Sequence, residues 1–127
     1  MPDRLVTVVS EVVDELLGRS DVITPLDVLL ALEIVDTDHV EAWRHGRVPY
    51  LERGITKGLS RVTRLLRLLR EAALARGLAP VPGKYVRRGK GPKRRLRFSK
   101  RGDLESERAY ATHFVRAAAI APAREEH

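Results

Sequence analysis

Apolar residues recur at spacings of three and four over the first part of the chain, which is typical of an amphipathic helix. We predict a first helix over 5–17, ended by Gly18, with one apolar face formed by Leu5, Val8, Val9, Val12, Val13, Leu16 and Leu17. Such a face needs a partner surface. Thr24 followed by Pro25 is an N-cap and first-turn signal, and it predicts a second, shorter helix over 25–33.

A third helix is predicted from the next set of end signals. Asp36 and Asp38 are both candidate N-caps, and Glu41 stands three residues after Asp38, in the register of a capping box. The helix should run to about His45 and end at Gly46, because the proline at position 49 cannot continue it.

The longest apolar pattern predicts a fourth helix over 50–76. On a helical wheel, five basic residues fall on one side, namely Arg53, Lys57, Arg61, Arg64 and Arg67. The opposite side is apolar and consists of Leu51, Ile55, Leu59, Val62, Leu65, Leu66 and Leu69. Gly54 and Gly58 each weaken such a helix by about 1 kcal/mol relative to alanine. They indicate either close packing or a bend, and the pattern does not choose between the two.

The pattern then changes from helical to alternating, which predicts a β-hairpin over 84–99. Its strands are 85–87 and 95–99, and a turn at 89–93 joins them. In the second strand, Leu96 and Phe98 should point to one side and Arg95 and Arg97 to the other.

A last helix is predicted over 104–120, with an apolar set formed by Ala109, Ala111, Phe114, Val115 and Ala118. The chain is thus expected to be one mainly α domain over 1–121, followed by a frayed tail at 122–127. Its fold class is a helix-turn-helix-like helical bundle with a long amphipathic helix, a basic, wing-like hairpin and a C-terminal helix.

The distribution of charge indicates a function, because acidic and basic residues are concentrated in different parts of the chain. Of 127 residues with a net charge of +7, positions 1–43 hold two basic and ten acidic side chains, and positions 44–102 hold nineteen basic and two acidic ones. Ten Lys or Arg residues lie between 84 and 101 with no acidic residue among them. A run of this density must face water, counterions or a polyanion, and it favours nucleic-acid binding by one basic face.

Composition narrows the other function classes. The chain has no Cys, so it forms no disulfide, thiolate zinc site or thiol nucleophile. It begins without a basic leader and apolar stretch, and no segment approaches the roughly 18 apolar residues that a membrane span requires. We therefore expect a cytoplasmic protein. The four His residues lack metal-ligand spacing, and no phosphate-binding glycine motif occurs, so no metal or cofactor is expected.

The segment 24–49, TPLDVLLALEIVDTDHVEAWRHGRVP, resembles the helix-turn-helix of excisionase-like and repressor-like regulators. In those families the second helix enters the major groove, which implies outward positions at His39, Glu41, Ala42 and Arg44. The segment departs from the pattern because this helix is acidic at Asp38 and Glu41. Two packed helices without DNA contact are the alternative.

Almost the whole chain also resembles a group of small uncharacterised basic bacterial proteins. The resembling segments are WRHGRVPYLER at 43–53, YVRRGKGPKRRLRFSK at 85–100 and ERAYATHFV at 107–115. The resemblance implies a bacterial origin and no particular activity.

Candidate phosphate contacts lie on the third helix, the long helix and the hairpin. They are Arg44, Arg47, Arg53, Lys57, Arg61, Arg64, Arg67, Arg87, Arg88, Lys90, Lys93, Arg94, Arg95 and Arg97. The ligand is DNA or structured RNA, undecided between the two. The alternative is a self-associating protein, for instance a homodimer, in which the acidic first third docks on the basic middle of another copy. Trp43 is expected to be a core anchor, while Tyr85 and Phe98 either stack on bases or anchor the hairpin.

One set of residues is a candidate for catalysis. Glu107, Tyr110 and His113 repeat every three residues, so a helix would bring them roughly onto one side. A Glu and a His beside many arginines could cleave RNA by acid–base chemistry without a metal, as in toxin-like ribonucleases. The same residues are also common in capping and packing roles, and we do not expect an enzyme.

Overall fold

The structure is a computed structural model that describes residues 4–55 and 58–117. It is mainly helical and carries a small three-stranded antiparallel sheet. The elements are α1 (Arg4–Leu17), β1 (Val22–Ile23), α2 (Pro25–Ala31), α3 (Thr37–Arg44), a 3₁₀ helix (Leu51–Gly54), α4 (Leu59–Ala75), β2 (Ala79–Pro82), α5 (Leu104–Ala111) and β3 (Thr112–Val115).

The first helix is confirmed, and its partner surface is α4. From α1, Leu5, Val9 and Val13 are buried, and α4 buries Val62, Leu65, Leu66, Leu69 and Ala73. The two helices are also joined at the surface, where the Arg76 guanidinium donates to the Asp14 carboxylate at 2.7 Å. Burial of these aliphatic side chains stabilises the packing of α1 against α4.

Capping hydrogen bonds fix the N-terminal ends of α2 and α3. Thr24 and Asp27 form the two reciprocal hydrogen bonds of a capping box at the start of α2. At the start of α3 the cap is Asp36, whose side chain accepts from the His39 backbone N–H at 2.7 Å. The predicted capping box at Asp38 is therefore wrong, because Asp38 already lies within the first turn of the helix.

The long helix predicted over 50–76 is broken into the 3₁₀ helix and α4. Gly54 ends the first piece, and a Cβ at this position would overlap the His39 ring. Gly58 is the N-cap residue of α4. The glycines therefore serve both packing and a break. Leu59 is the first residue of α4 and is 44% exposed, so it is not part of the buried apolar face that the sequence predicts.

The helix predicted over 104–120 is also shorter than expected, since α5 ends at Ala111 and the chain continues as β3. Residues Thr112–Val115 are mostly β-branched or aromatic, and they pair with both other strands in the order β1-β3-β2. Phe114 lies opposite Ile23 on one side and Pro80 on the other. The positions predicted beyond 117, including Ala118 and the tail 122–127, lie outside the described residues.

Strand β2 is an edge strand of an unusual composition. It reads Ala-Pro-Val-Pro, and its pairing with β3 continues to the Gly83 N–H, which donates to the Ala111 carbonyl at 3.0 Å. Because N–H groups alternate between the two edges of a strand, the nitrogens of Pro80 and Pro82 face away from β3. Prolines at these positions cost no hydrogen bond within the sheet, and they blunt the outer edge against pairing with another strand.

The hairpin predicted over 84–99 is present in a minimal form. One antiparallel bridge joins Val86 to Arg95, supported by hydrogen bonds from Arg87 N to the Arg94 carbonyl and from Leu96 N to the Tyr85 carbonyl, both at 2.8 Å. The predicted sides are confirmed, because Leu96 and Phe98 turn inward while Arg95 and Arg97 are exposed. Its turn uses two glycines, Gly89 and Gly91, at positive φ angles of 96° and 107°.

No helix in the described part of the chain is both long and apolar enough to cross a membrane.

Candidate nucleic-acid interface

The hairpin is held against the carboxyl end of α3. The Arg88 backbone N–H donates to the carbonyl of Arg44, the last residue of the helix, at 2.8 Å. Gly46 permits this approach, since a Cβ at that position would lie 2.8 Å from the Arg87 side chain, and its φ of 74° also favours glycine. A Cβ on Gly89 would in turn contact the His45 ring. The basic end of α3 and the basic turn therefore form one surface.

An aromatic cluster fixes this arrangement from below. Trp43 is fully buried, and its ring centroid lies 5.7 Å from that of Tyr85 and 4.8 Å from that of Phe98. The indole N–H of Trp43 donates to the Arg97 carbonyl at 2.7 Å. Tyr85 and Phe98 are at most 7% exposed, so they anchor the hairpin to α3 and do not present ring faces for base stacking. Above them, the Arg44 guanidinium lies 5.3 Å from the centre of the Tyr85 ring.

Two of the predicted phosphate contacts are engaged in shaping loops. The Arg87 guanidinium donates to the Lys90 carbonyl at 2.8 Å, across the turn. The Arg97 guanidinium donates to the carbonyls of Ser99 and Lys100. These contacts hold the turn and the segment after the second strand in place.

The other hairpin cations are exposed and form no ion pair with any residue that the structure describes. They are Arg88, Lys90, Lys93, Arg94 and Arg95, and Arg47 beyond α3 shares both properties. Elsewhere the acidic first third of the chain is partly neutralised by Arg19, Arg76 and Arg116. Internal pairing thus uses arginines outside the hairpin and leaves the hairpin charge uncompensated among the described residues.

The predicted stripe on the long helix is divided. Arg53 lies in the 3₁₀ helix, and Lys57 lies outside the described residues. Arg61, Arg64 and Arg67 are on α4, where each step of three residues turns the position by about 60° around the axis. Arg61 and Arg64 line a groove beside α1 together with residues of that helix. The predicted stripe is therefore not one face of a single helix, because Arg53 lies on a helix separate from the one that carries Arg61, Arg64 and Arg67.

The outer side of α3 is acidic. Of the four outward positions implied by the helix-turn-helix resemblance, only Glu41 is exposed, while His39, Ala42 and Arg44 are half-buried. The His39 ring is directed inward, where its Nε2 lies 2.8 Å from the Leu51 carbonyl. Asp38 is the other exposed carboxylate of the helix. This side lacks the cationic and amide donors that read base edges in the major groove.

The three catalytic candidates are each engaged in a separate contact. Glu107 accepts from Phe98 N at 2.9 Å, from Ser99 N at 2.8 Å and from Ser99 Oγ at 2.6 Å. Tyr110 donates to Glu52 at 2.7 Å, and its pKa is raised first by burial and then by this hydrogen bond to the carboxylate. Glu107 contacts the loop after the hairpin directly, and Tyr110 contacts it through Glu52, so both candidates are engaged in supporting this loop.

His113 is on β3 and not on the helix with Glu107 and Tyr110. Its Nε2 is hydrogen-bonded to the Tyr85 hydroxyl at 2.9 Å, and burial lowers its pKa. Among the described residues, no hydrogen bond joins any two of the three candidates. The part of the chain that the structure describes also contains no group of three potential metal ligands.

The sequence did not reveal two residues that hold the loop after the hairpin in place. Glu52 accepts from the Lys100 backbone N–H at 2.9 Å as well as from Tyr110, and Ser99, only 1% exposed, is a buried partner of Glu107. The available signal was the rarity of acid, because Glu52 is one of two acidic residues in the basic segment 44–102.

No protein-family model, curated protein or solved structure matches the chain.

Proposed function

We propose that the protein binds nucleic acid, DNA or structured RNA, through phosphate contacts made by the hairpin and the adjoining end of α3. The observation that carries this proposal is the hydrogen bond from Arg88 N to the Arg44 carbonyl. It holds the turn, whose cations are exposed and form no ion pair within the described part of the chain, against a helix end that is itself basic. The surface is therefore prearranged, and binding does not require ordering of a free basic arm.

The charge of this surface supports a polyanionic ligand. Nearby like charges repel, and within the described residues no carboxylate compensates Arg88, Lys90, Lys93 or Arg94. A phosphate backbone offers regularly spaced negative charges, and its binding releases counterions. Phosphate binding thus relieves an electrostatic cost that the free protein carries.

The architecture supports a winged helix-turn-helix-like use of these elements, with α2 and α3 joined by the connection 32–36 and the hairpin beside α3. Asp38 and Glu41 occupy the exposed side of α3. Because these carboxylates repel phosphates, α3 is poorly suited to enter the major groove. Recognition through the wing and by the shape of the backbone fits the charge distribution better. We therefore expect weak sequence preference.

The test is fluorescence anisotropy with two labelled probes, a 20-base-pair duplex DNA and a stem-loop RNA, across a series of salt concentrations. The variant is Arg88→Ala/Arg94→Ala, and the control is Arg19→Ala/Arg116→Ala, which lowers the net charge equally from exposed positions away from the hairpin. For duplex DNA, log affinity falls as log salt concentration rises, and each phosphate-binding cation that is removed should make this slope less steep by about 0.9. The control should retain the slope of the parent protein.

The two probes and the control assign each result. Preference for one probe identifies the nucleic acid, and similar affinities for unrelated sequences support recognition of shape. Equal losses of affinity in the hairpin variant and the control would show that binding depends only on net charge, and would contradict a defined binding surface. Absence of binding by the parent protein at low salt would refute the proposal, and salt-dependent oligomers without nucleic acid would then favour the self-association alternative.

A further inference from the structure

A second basic feature adjoins the second strand of the hairpin. A groove of about 670 Å³ runs between α4, β2, the second hairpin strand and α5. Its walls combine apolar and polar surface, and the apolar part includes Pro80, Pro82, Leu96 and Leu104. Pro80 and Pro82 belong to a strand paired along its length with β3, so this wall is rigid.

Three arginines from three different elements border this groove. Arg70 comes from α4, Arg95 from the hairpin and Arg108 from α5, and all three are exposed. None of their guanidinium groups forms an ion pair or hydrogen bond with a residue in the described part of the chain. The arginines near carboxylates elsewhere, such as Arg76, are paired. The groove therefore gathers guanidinium groups without supplying their counterions.

The single carboxylate among the described lining residues offsets only part of this charge. Glu107 lies in the groove wall, but its two oxygens already accept hydrogen bonds from Phe98 N, Ser99 N and Ser99 Oγ. These donors direct the carboxylate toward the loop after the hairpin. With three guanidinium groups against this one carboxylate among the described lining residues, the groove keeps a net positive charge, which favours an anion.

The chemistry of the lining indicates which anion fits. Guanidinium groups present paired donors that match the oxygens of phosphate, and arginine is favoured wherever phosphate is recognised. Apolar wall residues beside a few charged groups also occur in sites for small organic ligands, and here Pro80, Pro82 and Leu96 lie beside the arginines. We propose that the groove holds one nucleotide unit, its phosphate at Arg70, Arg95 and Arg108 and its sugar or base against Pro80, Pro82 and Leu96.

The inference rests on the proposed function, because it places an unpaired nucleotide of a bound strand, or a free nucleotide, beside the hairpin surface. Both sources share the same chemistry, a phosphate joined to an apolar-faced ring. The site is distinct from the hairpin turn, since Arg70 and Arg108 belong to α4 and α5. Variants of these two residues therefore separate the groove from the turn.

The experiment is a titration of ¹⁵N-labelled protein followed by NMR, with two probes, ADP and a twelve-residue oligothymidylate. The amide signals of Gly83 and Gly102, which line the groove, serve as reporters. The variant is Arg70→Ala/Arg108→Ala, whose two sites are exposed and leave the core unchanged. The control is Arg19→Ala/Arg116→Ala, which removes the same charge elsewhere.

A shift of the reporter signals by ADP, with at least a fivefold loss of ADP affinity in the groove variant but not in the control, supports a site for free nucleotides. Shifts caused only by the oligonucleotide, with the same loss, support an unpaired nucleotide of a strand. If neither probe moves the reporters while the hairpin variants still govern duplex or RNA binding, the groove proposal is overturned and the proposed function stands. If the parent protein binds no nucleic acid and no ADP, both are overturned.

Discussion

Replacement of Glu107 tests whether this residue is a structural clamp or a candidate catalytic acid. Its carboxylate accepts three hydrogen bonds, two of them from the backbone N–H groups of Phe98 and Ser99, where the chain leaves the hairpin. Truncation by Glu107→Ala leaves these donors without their partner. Because Ser99 is 1% exposed, water reaches its hydroxyl poorly.

The magnitude follows from the kind of hydrogen bond. A bond to a charged group contributes about 1.5–3 kcal/mol, and an unsatisfied buried donor costs about 1–3 kcal/mol. The three bonds share one carboxylate and are not additive, so we expect Glu107→Ala to lower the free energy of unfolding by about 3 kcal/mol. For a domain of this size, that corresponds to a fall in Tm of about 12 °C, at about 4 °C for each kcal/mol.

The assay is urea denaturation followed by circular dichroism, with Glu105→Ala as the matched control. Both residues lie in the first turn of α5, so each variant loses the same favourable charge near the helix N-terminus. Glu105 is exposed, and the difference between the two variants isolates the clamp. Glu107→Gln keeps one acceptor oxygen and should lose about half as much stability. Equal stabilities for the two alanine variants would refute the clamp.

Two further predictions concern partly buried histidines. Gly54→Ala should destabilise the protein by about 2 kcal/mol or more in urea denaturation, because its Cβ would overlap the His39 ring, and unchanged stability would contradict this packing. Burial lowers the pKa of His113 in the folded state, so the unfolded state takes up the proton first as pH falls through about 6.5. The free energy of unfolding should therefore fall between pH 7 and pH 5, and His113→Asn should flatten that fall, whereas the same slope in both proteins would show that His113 does not cause it.

Local sequence signals were sufficient wherever one rule determined the structure. The spacing of apolar residues located α1, the Thr24–Pro25 signal located α2, and alternation gave the correct sides of the second hairpin strand. In each case burial follows directly from the period of the element. The exposure of the basic turn could also be predicted from the sequence, because a dense run of like charges cannot be buried.

The remaining elements depended on contacts between distant parts of the chain. Whether Gly54 bends the helix or packs closely is decided by His39, which is fifteen residues away in sequence. The end of α5 at Ala111 depends on strand partners at Val22–Ile23 and Ala79–Pro82, and neither is long enough to show a strand period. A two-residue strand and a strand with two prolines become strands only because β3 pairs with them.

The positions of the carboxylates explain how so basic a segment can fold. Glu52 and Glu107 both accept hydrogen bonds from backbone N–H groups between Phe98 and Lys100, directly after the hairpin. Charge-assisted bonds of this kind are stronger than bonds between neutral groups. These two acids are therefore used to position the basic hairpin, while no described carboxylate neutralises the cations of its turn. An exposed ion pair beside Arg88 or Lys90 would add only about 0.2–1 kcal/mol, whereas a hydrogen bond from the backbone to a carboxylate contributes about 1.5–3 kcal/mol, so these two acids stabilise the fold more in their observed positions than they would beside the turn.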